Sequence, residues 1–143
     1  MTDTFHELSD VSRKLNQASD RLNSTISGIN SKLGRLNFGL EVWLTHRPIW
    51  HNDRQEAWIG YCEIEGEWQL AINRRTCVKS WDGPIEDALE DAIENDYRPL
   101  LKVSRELRLD ALQLVESLLH EIRRRAEFLV REIGEAEKFG QSL

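Results

Sequence analysis

The stretch AWIGYCEIEGEWQLAIN, residues 57–73, decides the fold. Apolar and polar side chains alternate in both halves of the stretch, and the halves flank Glu65 and Gly66. Alternation with a period of two is typical of a strand with one buried face. A glycine in so short a connection supplies the positive φ of a tight turn. The stretch therefore predicts a β-hairpin.

The hairpin lies within residues 38–81, where the pattern predicts an antiparallel meander of about four strands. Phe38 to Leu44 alternates in the same way and predicts a strand before the hairpin. RRTCVKSW, residues 74–81, predicts a fourth strand after a turn near Asn73 and Arg74. Such a sheet has one face available to bury against helices.

Helical periodicity precedes and follows the sheet. From Thr4 to Leu36 apolar residues recur at steps of three and four, which predicts an amphipathic helix that packs on the sheet or on another subunit. Pro84 predicts the start of a short acidic helix, and Ser104 is a candidate cap for a long helix that runs to about Phe139.

Together these elements predict an α+β fold in a single domain over residues 1–143. The N-terminal helix takes residues 4–36, the sheet residues 38–81 and the C-terminal helices residues 84–139, with the long C-terminal helix packed on the sheet. A chain of this length is long enough to bury a modest core.

Composition excludes several classes of protein. The net charge of -6 argues against a protein that binds duplex nucleic acid, because affinity for phosphate backbones comes mainly from Lys and Arg. Apolar stretches are too short to span a membrane, and the N-terminus MTDTFHELSD does not resemble a signal peptide, so we expect a cytoplasmic protein. Cys62 and Cys77 have no CxxC spacing, and we expect reduced thiols.

Between residues 82 and 96 every ionisable side chain is acidic. A solvated face is the ordinary interpretation of such a run, and a cation site or a docking surface is the alternative. The carboxylates are Asp82, Glu86, Asp87, Glu90, Asp91, Glu94 and Asp96.

Arginines in SRELRLDALQLVESLLHEIRRR, residues 104–125, pose a separate problem. Arg125 falls within the apolar sector of the predicted helix and Arg108 at its edge. A buried guanidinium needs a carboxylate such as Asp110 or Glu121, a route to water, or an anionic ligand.

The spacing of these arginines constrains a shared ligand. Arg108 and Arg124 would lie about 24 Å apart on one helix, too far for a small nucleotide. Two copies packed antiparallel would bring Arg108 of one subunit beside Arg124 or Arg125 of the other. Trp81, which follows Arg75 and Lys79, is the best candidate for stacking a base near basic groups.

The sequence contains, in this order, FGLEVWL, IGYCEIEGEWQLAI, the aromatic strand end and SRELRLDAL. This order of motifs resembles that of the phage-encoded Thoeris anti-defence proteins. These are small oligomeric sponges that sequester cyclic ADP-ribose isomers made by bacterial TIR-domain enzymes. The resemblance covers roughly residues 38–130, and the acidic run lies outside its pattern.

The resemblance implies a non-enzymatic protein without a cofactor, which acts in the host cytoplasm and blocks antiphage signalling. It maps the base-stacking aromatic onto Trp81 and the phosphate-contacting arginines onto Arg108 and Arg124, with Arg125 as the alternative to Arg124. The pockets would lie between subunits of a homodimer. Assembly as a trimer of dimers and binding of cyclic oligonucleotides are further implications.

Two other functions remain open from the residues alone. An enzyme is disfavoured because the sequence has no GxSxG motif or P-loop, and its four histidines lack metal-ligand spacing. A protein-binding adaptor or inhibitor that acts through acidic and helical surfaces fits the composition as well as the sponge does.

Overall fold

The predicted hairpin forms the centre of a five-stranded antiparallel sheet in a computed structural model that describes residues 2–78 and 81–143. Glu65 and Gly66 have φ of 53° and 83°, the left-handed pair that a two-residue hairpin turn requires, so the hairpin is confirmed. The strands are β1 (Val42–Trp43), β2 (Trp50–His51), β3 (Gln55–Ile64), β4 (Glu67–Cys77) and β5 (Ile93–Pro99), in the order β1-β3-β4-β5 with β2 also paired to β3.

The turn predicted near Asn73 and Arg74 was wrong. Asn73 pairs with Trp58, Arg74 pairs with Ala57, and β4 continues straight to Cys77. Residues 74–77 therefore extend the hairpin and do not form a fourth strand. The first predicted strand is also shorter, since only Val42 and Trp43 pair in it.

The short acidic helix predicted from Pro84 was wrong as well. Two 3₁₀ turns, at Ile85–Asp87 and Glu90–Ala92, lead into β5 along the free edge of β4. In this register Arg74 lies opposite Asp96, and a cross-strand pair of opposite charges stabilises a sheet.

Three helices complete the fold: α1 (Thr2–Leu36), α2 (Arg105–Leu112) and α3 (Val115–Ser142). The Ser104 cap is confirmed, since its hydroxyl accepts from the Leu107 N–H at 3.3 Å. The long last helix is not continuous. The Leu114 N–H donates to the Ala111 carbonyl, three residues back, and this tighter turn separates α2 from α3.

All three helices pack on one face of the sheet, which confirms the α+β architecture. The Asn30 side-chain oxygen on α1 accepts from the Leu70 N–H at 2.8 Å and fixes the helix to β4. None of the helices in residues 2–78 and 81–143 has an apolar stretch long enough to cross a membrane. The main core contains Ile26, Leu33, Val42, Leu44, Ala57, Ile59, Tyr61, Leu70, Ile72, Leu100, Leu107, Ala111, Leu114, Val115, Leu118 and Ile122.

We predict that Gly60→Ala destabilises the protein. A Cβ at Gly60 would lie 2.2 Å from the Trp43 ring, which rests on the strand at this point. Displacing the ring should lower the free energy of unfolding by about 1–3 kcal/mol, measured by chemical denaturation.

Gly28→Ala is the matched control, because a Cβ at this exposed position of α1 meets nothing within 4 Å. It should raise the free energy of unfolding by roughly 0.5–1 kcal/mol through helix propensity. Equal effects of the two substitutions would contradict the close packing of Trp43 on Gly60.

Candidate functional site

The face of the sheet opposite the helices carries a row of aromatic, amide and guanidinium groups. Successive side chains on a strand point to opposite faces, so residues that pair across strands share a face. Trp58 pairs with Asn73 and Asn73 with Tyr97, while Arg75 pairs with Asn95. We call the side chains of Trp43, Trp58, Asn73, Arg75, Asn95 and Tyr97 the aromatic face.

A cavity of about 390 Å³ opens on the aromatic face, and all six of its side chains line it. The rings of Trp43 and Tyr97 lie 5.6 Å apart between centroids at an interplanar angle of 59°. Glu90, from the acidic run, and Ile93 also line the cavity. Its volume falls within the range typical of small-molecule sites.

Trp58 is held in place by a buried carboxylate. Its indole N–H donates to Glu56 Oε2 at 2.8 Å, and the same oxygen lies 3.4 Å from Arg75 Nη1. Glu56 is only 9 % exposed, so its charge needs both partners. The ring of Trp58 is therefore preorganised, and part of the positive charge of Arg75 is neutralised.

Asn73, one of the side chains that line the cavity, has an unused acceptor. The side chain is 8 % exposed, and its amide nitrogen donates to Asn95 Oδ1 at 3.2 Å. The amide oxygen of Asn73 is buried and accepts no hydrogen bond from any described residue. A buried acceptor without a donor is costly, so this oxygen is an unsatisfied polar group beside the cavity.

Trp81 does not line this cavity. It is half-buried in a small apolar cluster with Cys77, Ile85 and Ile93, and its indole N–H donates to the Pro84 carbonyl at 2.9 Å. The structure thus gives Trp81 a packing role at the end of the sheet. Of the basic residues predicted beside it, Arg75 lies on the aromatic face, and Lys79 lies outside the described residues.

The predicted helical arginines lie in the helix layer. Arg108 is half-buried and donates to the Leu101 carbonyl at 3.3 Å, whereas a carboxylate was one of the partners expected for it. Arg124 is exposed and makes two hydrogen bonds to Glu121, at 2.6 and 3.0 Å, which lower the pKa of that carboxyl and raise the pKa of Arg124. Arg125 is exposed, so its guanidinium is not buried as its place in the apolar sector of the helix had suggested.

Within one chain, therefore, the structure separates the predicted site residues. Arg75 lies on the aromatic face, Trp81 at its end, and Arg108, Arg124 and Arg125 among the helices. The break after Leu112 also removes the single straight helix on which the distance between Arg108 and Arg124 was based.

A smaller cavity of about 180 Å³ on the helix side of the sheet collects basic groups. Arg74, Arg98 and Lys102 line it, and the carboxylate of Asp96 accepts from Arg98 Nε at 2.9 Å. Positive charge is thus available there, but the described lining includes no aromatic ring to stack a base.

Metal and thiol chemistry find little support in the described residues. No group of three or more His, Cys, Asp or Glu side chains in residues 2–78 and 81–143 is arranged to hold a metal ion. Burial, with a smaller effect of Glu41, raises the pKa of the Cys62 thiol to about 11, so Cys62 is protonated at neutral pH.

Sequence reasoning missed most of the aromatic face. Tyr97 and Asn95 were not identified because their strand was predicted to be a helix. Asn73 was not identified because it was predicted to lie in a turn. The period-two spacing of Asn73 with Arg75, and of Asn95 with Tyr97, was the available signal.

No protein family model, no curated protein and no solved structure matches this chain.

Proposed function

We propose that this chain is a non-catalytic binding protein that sequesters a small nucleotide, with the base of the nucleotide on the aromatic face. The observation that carries the proposal is the cavity of about 390 Å³, which is lined by three aromatic rings and by Asn73, whose buried amide oxygen is unpaired among the described residues. Aromatic rings bind a base by stacking, and an exocyclic amino group supplies the donor that Asn73 needs.

The charge of the site fits one phosphate close to Arg75. Arg75 Nη1 lies 3.4 Å from Glu56, and the remaining N–H donors of the guanidinium are available to an anion. Glu90 also lines the cavity, and its negative charge would repel a second phosphate close to it. In this proposal the base of the nucleotide lies toward Trp58 and its phosphate toward Arg75.

The resemblance to Thoeris anti-defence proteins makes a TIR-derived cyclic ADP-ribose isomer the first ligand to test. Sequestration of that signal in the cytoplasm would block antiphage signalling, and cyclic oligonucleotides are the second class of ligand. Arg108 and Arg124 or Arg125 would contact such a ligand only in a pocket between subunits, as the homodimer and the trimer of dimers would provide.

Sequestration requires no chemical step, and the site offers little for one. The Glu56 carboxylate is engaged by Trp58 and Arg75, and the Cys62 thiol is protonated at neutral pH. Stacking and hydrogen bonding alone are sufficient to retain a ligand.

A protein-binding adaptor or inhibitor is the second candidate, and exposure of the acidic run favours it. All seven carboxylates between residues 82 and 96 are exposed, so the run offers negative charge to a basic partner. This function would not require the cavity on the aromatic face.

We predict that Trp58→Leu weakens binding of a cyclic ADP-ribose isomer by about 5- to 150-fold, since stacking contributes roughly 1–3 kcal/mol per base. Arg75→Ala should weaken it as well, through the lost phosphate contact. Isothermal titration calorimetry measures the affinity. Heating the complex should then release the ligand chemically intact, as judged by chromatography of the supernatant.

Arg123→Ala is the matched control, because Arg123 is an exposed helical arginine paired with Glu127 and lies outside the aromatic face. Its affinity should equal that of the native chain. A converted product would indicate an enzyme. Loss of binding in Arg108→Ala and Arg124→Ala, with Trp58→Leu unaffected, would move the ligand to an intersubunit pocket.

We also predict that Glu56→Gln strengthens binding of an anionic nucleotide several-fold. The amide oxygen can still accept from the Trp58 indole, while Arg75 no longer faces a negative charge. Calorimetry at two salt concentrations measures the change, which should shrink at high salt. Weaker binding in Glu56→Gln would contradict a phosphate at Arg75.

A further inference from the structure

The small cavity on the helix side of the sheet has a lining that is mostly cationic. Arg74 lines it from β4, Arg98 from β5, and Lys102 from the 3₁₀ turn that precedes α2. Among the described lining residues the carboxylate is that of Asp96, so the lining has a net charge of +2. The whole chain has a net charge of -6, and this local excess of positive charge therefore needs a reason.

Two of the three cations lack an anionic partner. In the part of the chain that the structure describes, neither Arg74 nor Lys102 forms an ion pair. Asp96 lies opposite Arg74 in the sheet, but its carboxylate accepts from Arg98 Nε at 2.9 Å. Like charges around one small cavity repel one another, and an anion between them removes that cost. All three cations are exposed, so an anion from solution can reach them.

Trp50 positions the guanidinium of Arg74. The guanidinium carbon lies over the Trp50 ring, 5.9 Å from its centroid. Trp50 pairs with Ala57 and Ala57 with Arg74, so three adjacent strands set this contact. A guanidinium over a ring face keeps the N–H donors at its edge free for an anion. Arg74 is thus preorganised without being neutralised, whereas Arg75 shares its charge with Glu56.

The size and the donors of the cavity fit a single phosphoryl group. The Ser104 oxygen accepts from the Leu107 N–H, and a hydroxyl that accepts can still donate its own proton. Ser104 therefore adds an O–H donor to the N–H donors of the three cations. The volume of about 180 Å³ is too small for a whole nucleotide, since sites for complete small molecules occupy roughly 300–1,000 Å³.

We propose that this cavity binds the phosphoryl group of inorganic phosphate or of a phosphomonoester. Such a group has a charge between about -1.5 and -2 at neutral pH, which balances the net charge of the lining. Arg and Lys hold phosphate oxygens through charge-assisted hydrogen bonds. Arg74 and Arg75 lie on opposite faces of β4, so the sheet separates this site from the nucleotide proposed for the aromatic face, and neither site depends on the other.

Calorimetric titration with inorganic phosphate at low salt tests the site. The native chain should bind phosphate, and Arg74→Gln and Lys102→Gln should each weaken binding at least about tenfold, because each removes a charge-assisted hydrogen bond. Lys138→Gln is the matched control: Lys138 is an exposed lysine of α3 outside the cavity, and its loss should leave the affinity unchanged. Circular dichroism should show the native fold in all three variants.

Asp96→Asn tests the charge of the ligand. Loss of this carboxylate should strengthen phosphate binding several-fold, and the gain should shrink as salt is added. The amide oxygen of the variant can still accept from Arg98. Glu86→Gln removes a carboxylate of the same acidic run outside the cavity and should have a smaller effect. Weaker binding in Asp96→Asn than in Glu86→Gln would contradict an anionic ligand.

Ribose 5-phosphate distinguishes the two sources of the phosphoryl group. Tighter binding of ribose 5-phosphate than of inorganic phosphate indicates a phosphomonoester, and equal or weaker binding indicates the free ion. A native chain that binds neither compound at about 10 mM, by calorimetry and by phosphorus NMR, would overturn the proposal. So would phosphate binding that Arg74→Gln and Lys102→Gln leave unchanged, or that Arg75→Ala weakens as strongly, since the anion would then lie on the aromatic face.

Discussion

The pairing of β3 with β4 is the constraint on which the rest of the structure depends. Their register runs without interruption from Gln55 opposite Thr76 to Ile64 opposite Glu67. It sends Ile59, Tyr61 and Ile72 toward the helices. By the same alternation it sends Trp58, Asn73 and Arg75 to the other side, so a shift of one residue would exchange the two sets.

This division gives the two faces different chemistry. One face is an apolar core that the three helices cover, and the other keeps buried polar groups such as Glu56 and Asn73 beside aromatic rings. Buried polar groups cost stability unless they are paired. Glu56 is paired within the chain, whereas the amide oxygen of Asn73 accepts no bond from the described residues. The proposal of a ligand on this face rests on that difference.

Much of the fold could be predicted from local pattern. The hairpin, α1 and the Ser104 cap follow from alternation, helical period and a capping hydroxyl. The fifth strand could not, because its residues are mostly polar and exposed, and only pairing with the free edge of β4 makes them a strand. The break in the helix after Leu112 could not be predicted either, because residues 112–115 include no glycine or proline.

The candidate site was less predictable because it depends on which residues meet across strands. Arg75 was identified, but as a neighbour of Trp81 in sequence, and its actual partners are Glu56 and Asn95. Arg108 and Arg124 were chosen by helical spacing, which cannot anticipate that a backbone carbonyl and Glu121 would engage them.

The broken strand β1–β2 has a consequence for how copies of the protein can meet. Pro48 lies between its two short parts, so this edge of the sheet offers few consecutive N–H and C=O groups to another chain. At the opposite edge, β5 carries Glu94, Asp96 and Arg98, and charged edge strands resist pairing. Growth into fibrils by edge-to-edge addition of strands is thereby opposed at both ends of the sheet.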